Sequence, residues 1–526
     1  MKVIIGTRGS ELALWQANYT KNLLEKNGCQ AELKIISTSG DRTQQWNTSF
    51  EKLEGKGFFT KELEEELLAG TIDLAVHSHK DLPTTNPEGL IIAGVSMRED
   101  PSELLLIRKD AVNESKKFNL KEKALVGTSS ARRKSQLLSF RPDVEIKDLR
   151  GNVPTRIKKL SEKQYDAILL AAAGVERLEI ILEEFHVEKL SPTEFIPAPA
   201  QGVLAWQIKE DNLKLLQLFD KLSDFDVQVK INIERRILNL FDGGCQLPLG
   251  AYCETEMDQD EKLRFKTWVS IADTWSSTPK QFYFETGNTD GFADKIVEKI
   301  KGIKSKKVFI TRDLKEKDFL YRSLKGIGFE IEGKSLIEFK PIPIKEIPEC
   351  NWIFFSSKHA VKFFLNQKPA IGKVKIGCVG KATSDELRKH GLRADFIGQS
   401  TDTKLIGKQF ASIAGNSKVL FPIAKESMMS IQNQLAKKEN VFNIPVYATI
   451  KHSVEVNSDT DIFIFTSPSN VDAFYEKNKL QTQQLAVAMG EATKNALIKK
   501  GVKDARIELT TSFDDLGLYR AVLHFD

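Results

Sequence analysis

The first 220 residues alternate short strand-like runs with segments whose apolar residues recur at helical spacing, and this alternation limits the possible fold more than any other feature. The strand-like runs include "KVIIGT", "IDLAVHS" and "YDAILLAAAG", and the helical segments include "ELALWQANYTKNLLEKNG" and "SARRKSQLLSF". Alternating strands and helices are typical of α/β layers with largely parallel sheets. We therefore predict α/β domains here, with the Pro-rich stretch "SPTEFIPAPAQG" connecting two lobes.

The chain of 526 residues is too long for one domain, because single cores rarely grow past about 250–300 residues. A smaller α+β segment is predicted from about 224 to 303, with "RFKTWVSIAD" and "PKQFYFETG" as strands and "DKIVEKIKG" as a closing helix. The charged stretch "KGIKSKK" then serves as a linker.

Beyond this linker the chain repeats itself at an offset of 110 residues. The segment "FSSKHAVKFF" from Phe355 matches "FTSPSNVDAF" from Phe465, and "GKATSDELRKHG" from Gly380 matches "GEATKNALIKKG" from Gly490. Two matching blocks in one register are explained most simply by two similar α/β lobes, which would enclose a cleft.

Composition excludes several classes of protein. No apolar run approaches the roughly 20 residues that a membrane helix needs. The five scattered cysteines show neither a disulfide framework nor Cys/His metal spacing, so we expect reduced thiols, a cytoplasmic location and no metal. A net charge of +5 is too small to indicate nucleic acid, and neither nucleic acid nor a membrane is expected as a partner.

Charged and hydroxyl side chains gather where predicted strands end, which is where open α/β sheets bind ligands. The three clusters are "GTRGSELALW", "LAVHSHKDLP" and "VGTSSARRKSQL". In the third, Arg132 and Arg133 lie in the first turn of a predicted helix, where negative charge is normally favoured. An anionic ligand would resolve this conflict. A polycarboxylate is favoured over a phosphate because no phosphate-binding glycine motif occurs at these positions.

Two further residues could carry chemistry. Asp81 lies among cations and is either a salt-bridge partner or a group that handles protons and stabilises positive charge on a substrate. Cys245 follows two glycines in "FDGGCQLPLGAYC" and is either a buried structural cysteine or a thiol presented on a loop.

The motifs "GTRGSELALWQA", "GKGFFTKEL", "AVHSHKDLP", "VGTSSARRKSQL", "LRGNVPTRI" and "GGCQLPLGAY" resemble those of porphobilinogen deaminase (hydroxymethylbilane synthase) over about residues 1–303. The resemblance implies two α/β domains like those of periplasmic binding proteins, from 1–100 with 196–222 and from 101–195. A small α+β domain at 223–303 would carry the cofactor cysteine. The family's usual Gly-Gln-Gly has Ala200 as its first residue here.

This resemblance also implies a chemistry. Four porphobilinogen molecules would join into hydroxymethylbilane with release of ammonia, on a dipyrromethane cofactor held by a thioether to Cys245, and Asp81 would be catalytic. The remaining cofactor contacts would be Lys80, Thr128, Ser129, Ser130, Arg132 and Arg133. The substrate contacts would be Arg8, Ser10, Lys56, Ser78, Arg150, Arg156, Arg177 and Gln201.

Residues 304–526 resemble uroporphyrinogen-III synthase through "VFITR", "FFSSKHAV", "CVGKAT", "PVYAT" and "MGEAT". The resemblance implies two α/β lobes, lobe A at about 305–342 and 455–526 and lobe B at about 343–454. It also implies closure of hydroxymethylbilane into a ring with inversion of the last pyrrole. Tyr447 would donate a proton to the departing hydroxyl. The carboxylates would be bound near Ser357, Thr383, Ser467 and Thr493, of which the two threonines could equally be helix caps.

Together the two halves predict a monomeric, bifunctional enzyme of tetrapyrrole biosynthesis whose substrates are porphobilinogen and hydroxymethylbilane. Fusion would keep hydroxymethylbilane close to the second enzyme before it closes spontaneously to the wrong isomer. Two alternatives remain open. The second half could be a degenerate partner of an active deaminase, or the chain could be a polycarboxylate-binding protein without catalysis.

Overall fold

The computed structural model describes residues 1–38, 60–242, 247–258, 260–400, 402–427 and 429–525. Two of the predicted site residues, Lys56 and Cys245, lie outside these ranges. The chain forms two compact units, Met1–Ile303 and Lys304–Asp526. No helix of the described residues combines the length and the apolar character that crossing a lipid bilayer requires.

The described residues of the first unit form three sheets and the helices that cover them. Its strands are β1 (Lys2–Thr7), β2 (Gln30–Ile35), β3 (Leu74–Ser78), β4 (Leu90–Val95), β5 (Glu103–Arg108), β6 (Leu125–Gly127), β7 (Glu145–Lys147), β8 (Ala167–Ala171), β9 (Phe185–Leu190), β10 (Leu204–Lys209), β11 (Leu249–Met257), β12 (Leu263–Ile271) and β13 (Lys280–Thr286). Its helices are α1 (Glu11–Lys26), α2 (Lys61–Leu68), α3 (Ala131–Phe140), α4 (Val153–Ser161), α5 (Ala172–Arg177), α6 (Leu213–Leu222), α7 (Phe225–Leu240) and α8 (Phe292–Gly302).

The two five-stranded sheets of this unit have the orders β2-β1-β3-β10-β4 and β7-β6-β8-β5-β9. In each, one strand runs against its neighbours: β10 is antiparallel to β3 and β4, and β5 is antiparallel to β8 and β9. The chain crosses from the first of these sheets to the second between β4 and β5, and it crosses back between β9 and β10. Since β5 and β10 are the first strands after these two crossings, the predicted parallel pattern is interrupted there. The third sheet, β11-β12-β13, is antiparallel and packs against α7.

Buried aromatic and apolar side chains hold the first sheet against its helices. Trp206 of β10 is fully buried and stacks on Phe219 of α6, with ring centroids 4.7 Å apart. Its indole Nε1 donates to Thr20 Oγ1 of α1 at 3.0 Å, so the one polar atom of this ring is also satisfied. Ser10 caps α1 by accepting from the backbone N–H of Ala13, which fixes where that helix begins.

In the second unit, the part of the chain that the structure describes forms two sheets. Its strands are β14 (Lys307–Ile310), β15 (Glu330–Gly333), β16 (Ile337–Pro341), β17 (Trp352–Phe355), β18 (Lys375–Val379), β19 (Phe396–Gly398), β20 (Val419–Ala424), β21 (Val441–Lys451), β22 (Ile462–Phe465), β23 (Leu485–Ala488) and β24 (Ile507–Leu509). Its helices are α9 (Phe319–Gly326), α10 (Lys358–Leu365), α11 (Gly380–Lys389), α12 (Thr403–Ala414), α13 (Pro468–Phe474), α14 (Glu491–Lys499) and α15 (Asp515–Leu523).

The sheets of the second unit have the orders β15-β14-β22-β23-β24, which is parallel throughout, and β16-β21-β20-β17-β18-β19. Strand β16 lies within the range predicted for lobe A but pairs in the second sheet, antiparallel to β21. The reason is the length of β21, whose first residues pair with β20 while its last residues extend to β16.

The sequence repeat corresponds to one structural unit in each lobe, β17–α10–β18–α11 and β22–α13–β23–α14. Gly380 and Gly490, which match in the repeat, have φ angles of +69° and +94°. A side chain is disfavoured at such angles, which explains a glycine at both positions.

Candidate active sites

The turn that carries Asp81 follows β3 directly, at the carboxyl end of the first sheet. It is a single 3₁₀ turn, His79–Asp81, in which Asp81 is exposed and Lys80 is partly buried. Just before it, Ser78 Oγ accepts a hydrogen bond from Gln16 Nε2 of α1 at 2.8 Å. Asp81 is therefore presented to solvent from a turn that is tied to the helix beside it.

Arg132 and Arg133 point inward at the start of α3 and share one carboxylate. Arg132 Nη2 lies 2.6 Å from Glu103 Oε1, and Arg133 Nη2 lies 2.6 Å from Glu103 Oε2. Glu103, the first residue of β5, is fully buried. Burial alone would raise the pKa of this carboxyl, but the two guanidinium groups lower it to about 2.

This arrangement gives the arginine pair a countercharge from the protein, where the sequence led us to expect an anionic ligand. Glu103 supplies that charge from another strand, and the sequence spacing does not reveal it. A charged residue within the otherwise apolar run "ELLLI" is the signal that would have found it, because an unpaired carboxylate is rarely buried.

A hydrogen-bonded network connects Lys80 to the same carboxylate. Lys80 Nζ donates to Gln201 Oε1 at 3.2 Å, and Gln201 Nε2 donates to Pro101 O at 2.8 Å and to Glu103 Oε1 at 3.2 Å. Burial lowers the pKa of the Lys80 ammonium to about 8, against the opposing effect of Asp81. Gln201 thus bridges the turn after β3 and the arginine pair on α3.

Arg156 is the third arginine of this cluster. Its Nε donates to the carbonyl of Gly151 at 2.7 Å. Burial lowers its pKa to about 10, with Arg133 adding to the effect and Asp81 opposing it. Arg156 therefore lies within electrostatic range of both Arg133 and the exposed carboxylate of Asp81.

Arg177 has different neighbours. Its Nη2 donates to the carbonyl of Gly202 at 2.7 Å, and its guanidinium lies 5.6 Å from the ring centre of Trp15. Arg8 and Arg150 are partly buried at the ends of β1 and β7.

Two buried donors of these arginines have no acceptor among the described residues: Nε of Arg133 and Nε of Arg177. A buried N–H of a charged group without an acceptor is costly, typically by more than about 1–3 kcal/mol. A ligand with several carboxylates would supply the acceptors. The residues present therefore fit such a ligand.

The predicted hydroxyl contacts have structural partners. Ser130 Oγ caps α3 by accepting from the N–H of Arg133, and Thr128 Oγ1 accepts from the N–H of Ser130 at 3.3 Å. Ser129 Oγ donates to the carbonyl of Leu149 and accepts from its N–H, both at 3.0 Å. These hydroxyls stabilise the loop that presents the arginines.

In the second unit the hydroxyl of Tyr447 lies 3.3 Å from Ser357 Oγ. The Tyr447 ring is buried between Phe339, in an edge-to-face contact, and Phe363, which stacks on it; both ring-centre distances are 5.3 Å. Burial raises the pKa of the tyrosine, so its hydroxyl is protonated and able to donate. Ser357 itself caps α10 by accepting from Ala360 N–H at 3.1 Å.

The other predicted residues of this unit divide between the lobes. Ser467 caps α13, as Ser357 caps α10. The capping interpretation of Thr383 and Thr493 is wrong, because the N-cap positions of α11 and α14 are occupied by Val379 and Gly490. Both threonines are instead buried in the first turns of these helices, where helical periodicity directs them toward the core.

Comparison with known proteins adds to this geometry. A family model described as porphobilinogen deaminase, dipyromethane cofactor binding domain, matches residues 3–217. The porphobilinogen deaminase of Sulfurimonas denitrificans is 45% identical over 251 residues, which are 47% of this chain and 78% of that protein. The chain belongs to the porphobilinogen deaminase family. The deaminase of Nitratiruptor sp. is 44% identical over 250 residues, which are 48% of this chain and 78% of that protein.

A second family model, uroporphyrinogen-III synthase HemD, matches residues 334–516. The solved uroporphyrinogen-III synthetase of Helicobacter pylori is 18% identical, covers 42% of this chain and 100% of its own, and has a TM-score of 0.31. A solved mutant uroporphyrinogen III synthase of Thermus thermophilus is 16% identical, with the same coverage and a TM-score of 0.29.

The protein is thus a bifunctional enzyme of tetrapyrrole biosynthesis, with a deaminase domain followed by a uroporphyrinogen-III synthase domain. The predicted fold class and pair of activities are confirmed. Dipyrromethane is the cofactor for which the matched deaminase domain is described.

Proposed function

We propose that the first unit joins four porphobilinogen molecules into hydroxymethylbilane, releasing ammonia, and that the second unit closes this product to uroporphyrinogen III. The observation that carries the proposal is the cluster of Lys80, Arg133 and Arg156 beside the exposed carboxylate of Asp81. Porphobilinogen and the chain built from it carry acetate and propionate groups, which such cations bind.

In this proposal the cofactor is attached through Cys245, and its carboxylates are bound by Arg132, Arg133 and Lys80. When bound, dipyrromethane supplies the pyrrole to which the growing chain is joined. Nε of Arg133, which has no acceptor among the described residues, supports this assignment, because a cofactor carboxylate would accept its hydrogen bond. Glu103 keeps the two guanidinium groups side by side, so that they need not repel one another before the ligand arrives.

Asp81 is the proposed catalytic group. As ammonia leaves porphobilinogen, positive charge develops on the pyrrole, and a fixed carboxylate nearby stabilises it more than water would. The same carboxylate can accept the proton of the pyrrole N–H group. Arg8, Arg150, Arg156 and Arg177 are proposed to bind the carboxylates of the incoming substrate and of the growing chain.

In the second unit Tyr447 is proposed to donate its proton to the hydroxyl that leaves hydroxymethylbilane. Its raised pKa keeps the proton available, and Ser357 lies within reach to orient the phenol. Ser357, Ser467, Thr383 and Thr493 are proposed to lie near the substrate carboxylates.

Feeding porphobilinogen to the full-length protein, oxidising the products and separating the uroporphyrin isomers tests both activities together. Mostly isomer III supports the proposal. Isomer I alone would leave the deaminase active and contradict catalysis by the second unit. No porphyrin from protein that carries its cofactor would favour a non-catalytic polycarboxylate-binding protein.

We propose a monomer, a cytoplasmic location, and no partner among nucleic acids or membranes. Cysteine usage typical of reduced thiols supports the cytoplasmic location, and the modest net charge of +5 supports the absence of a nucleic-acid partner.

A further inference from the structure

Arg235 of α7 donates to three backbone carbonyls of the turn that carries Asp81. Its Nη1 donates to the carbonyls of His79 and Leu82, at 3.1 Å each, and its Nη2 donates to the carbonyl of Pro83. These carbonyls lie on both sides of Asp81 in the chain. One guanidinium therefore holds the segment before and after the proposed catalytic carboxylate.

Backbone hydrogen bonds also restrain this turn. Within its backbone, Leu82 N–H donates to His79 O at 3.3 Å, and His79 N–H donates to Val203 O at 2.9 Å. The His79 carbonyl thus has a partner within the turn, whereas the carbonyls of Leu82 and Pro83, which follow the turn, have none within it. The planar guanidinium of Arg235 satisfies them in one fixed geometry, which a flexible ammonium could not reproduce.

The helix that carries Arg235 is itself held firmly at this point. The neighbouring Glu234 is fully buried and lies 2.6 Å from Arg98. Glu234 also accepts from the N–H of Ala200 at 2.7 Å and from the N–H of Cys253 at 2.8 Å. These bonds connect α7 to the second crossing of the chain and to β11, so the position of the Arg235 side chain depends on residues 223–303, the predicted third domain of the first unit.

We propose that Arg235 is a positioning residue, which sets the location and direction of the Asp81 carboxylate by holding its turn from α7. The inference rests on the proposed catalytic role of Asp81. It assigns to the third domain a part in the chemistry of the first. A displacement of about 1 Å in a catalytic group can cost roughly 100-fold in rate, so small movements of this turn matter.

The test compares Arg235→Met and Arg235→Lys with the control Arg236→Met in the full-length protein. Arg236 is the next residue of α7 and is exposed. Its guanidinium pairs with Asp294, 2.7 Å away, and not with the turn of Asp81. Expected for Arg235→Met is a roughly 10- to 100-fold lower single-turnover rate with porphobilinogen KM nearly unchanged. Arg235→Lys recovers part of the rate, and Arg236→Met keeps the wild-type rate. Melting temperatures and cofactor loading by intact mass show which variants fold.

The decisive step adds Arg235→Met to Asp81→Asn. If Arg235 acts through Asp81, the double variant is no slower than Asp81→Asn alone, because effects of residues that act as a unit do not add. The inference would be overturned if the double variant were slower than Asp81→Asn by the same factor that Arg235→Met causes alone. It would also be overturned if folded Arg235→Met or Arg235→Lys kept the wild-type rate while Asp81→Asn is slow. A wild-type rate for Asp81→Asn would instead overturn the role of Asp81, and the inference with it.

Discussion

The carboxylate of Glu103 accepts a hydrogen bond from Arg133 Nη2 at 2.6 Å, in a part of the first unit that is closed to solvent. Arg132 makes the equivalent bond to the other oxygen. A residue pair expected to await an anionic ligand is thus already partly neutralised by the protein. The ligand meets two guanidinium groups held in place, and one buried donor, Nε of Arg133, has no acceptor in the part of the chain that the structure describes.

Replacing Glu103 with Gln should destabilise the first unit strongly, because it leaves two buried guanidinium groups without a countercharge. Loss of one partner of a buried pair costs roughly 3–5 kcal/mol. Urea unfolding of the full chain, followed by tryptophan fluorescence, measures this. Glu145→Gln, at an exposed position on β7, is the control and should change stability by less than about 0.5 kcal/mol.

The ion pairs between Glu103 and the two arginines also predict how the stability of the protein changes in acid. The pKa of Glu103 is about 2 in the folded protein against an ordinary 4.5, so its contribution is present above 4.5 and lost as the pH falls toward 2. The wild type should therefore lose stability through this window more steeply than Glu103→Gln does. If the unfolding free energies of the two proteins fell equally steeply between pH 4.5 and 2, the lowered pKa of Glu103 would be contradicted.

Lys80 should give the deaminase a pH dependence near 8. Its pKa of about 8 means that the ammonium loses its proton as the pH rises past this value, which weakens binding of carboxylates. We expect kcat/KM for porphobilinogen to fall there. In Lys80→Arg the charge persists, so the fall should move to higher pH. Lys109→Arg, at an exposed position, should keep the wild-type profile, and an unchanged profile in Lys80→Arg would exclude Lys80 as the titrating group.

Cys245→Ser should abolish covalent attachment of dipyrromethane, since a hydroxyl does not form the proposed thioether. Intact mass spectrometry of the full-length protein measures the attached mass directly. Cys253→Ser is the matched control, because Cys253 is buried on β11 and burial raises the pKa of its thiol to about 12, which keeps it unreactive. Retention of the cofactor by Cys245→Ser would show that another residue anchors it.

Tyr447→Phe keeps the aromatic ring between its neighbours and removes only the hydroxyl. We expect ring closure by the second unit to slow by roughly 100-fold, the usual contribution of a general acid, while porphobilinogen consumption is unchanged. The products should shift from isomer III toward isomer I. Tyr475→Phe removes a tyrosine hydroxyl from the other lobe and should leave the isomer ratio as it is. A wild-type ratio in Tyr447→Phe would remove the tyrosine from the mechanism.

Much of the architecture was predictable because it depends on local patterns. Strand and helix periodicities extend over a few residues, and the repeat could be read by aligning Phe355 with Phe465. The glycines at 380 and 490 follow from the backbone angles that each loop requires. By contrast, the antiparallel strands β5 and β10 and the place of β16 depend on where the chain returns to a sheet, which local patterns do not encode.

The site divides in the same way. Residue type and spacing determined which side chains stand at the ends of strands, and so pointed to cations around Asp81 and to an anionic ligand. Only the tertiary structure decided that Glu103 neutralises Arg132 and Arg133, that Gln201 joins Lys80 to Glu103, and that Arg235 holds the turn of Asp81. These partners are separated by tens of residues or more along the chain. Charge and hydrogen bonding act through space, so the fold selects among many partners that the sequence allows equally.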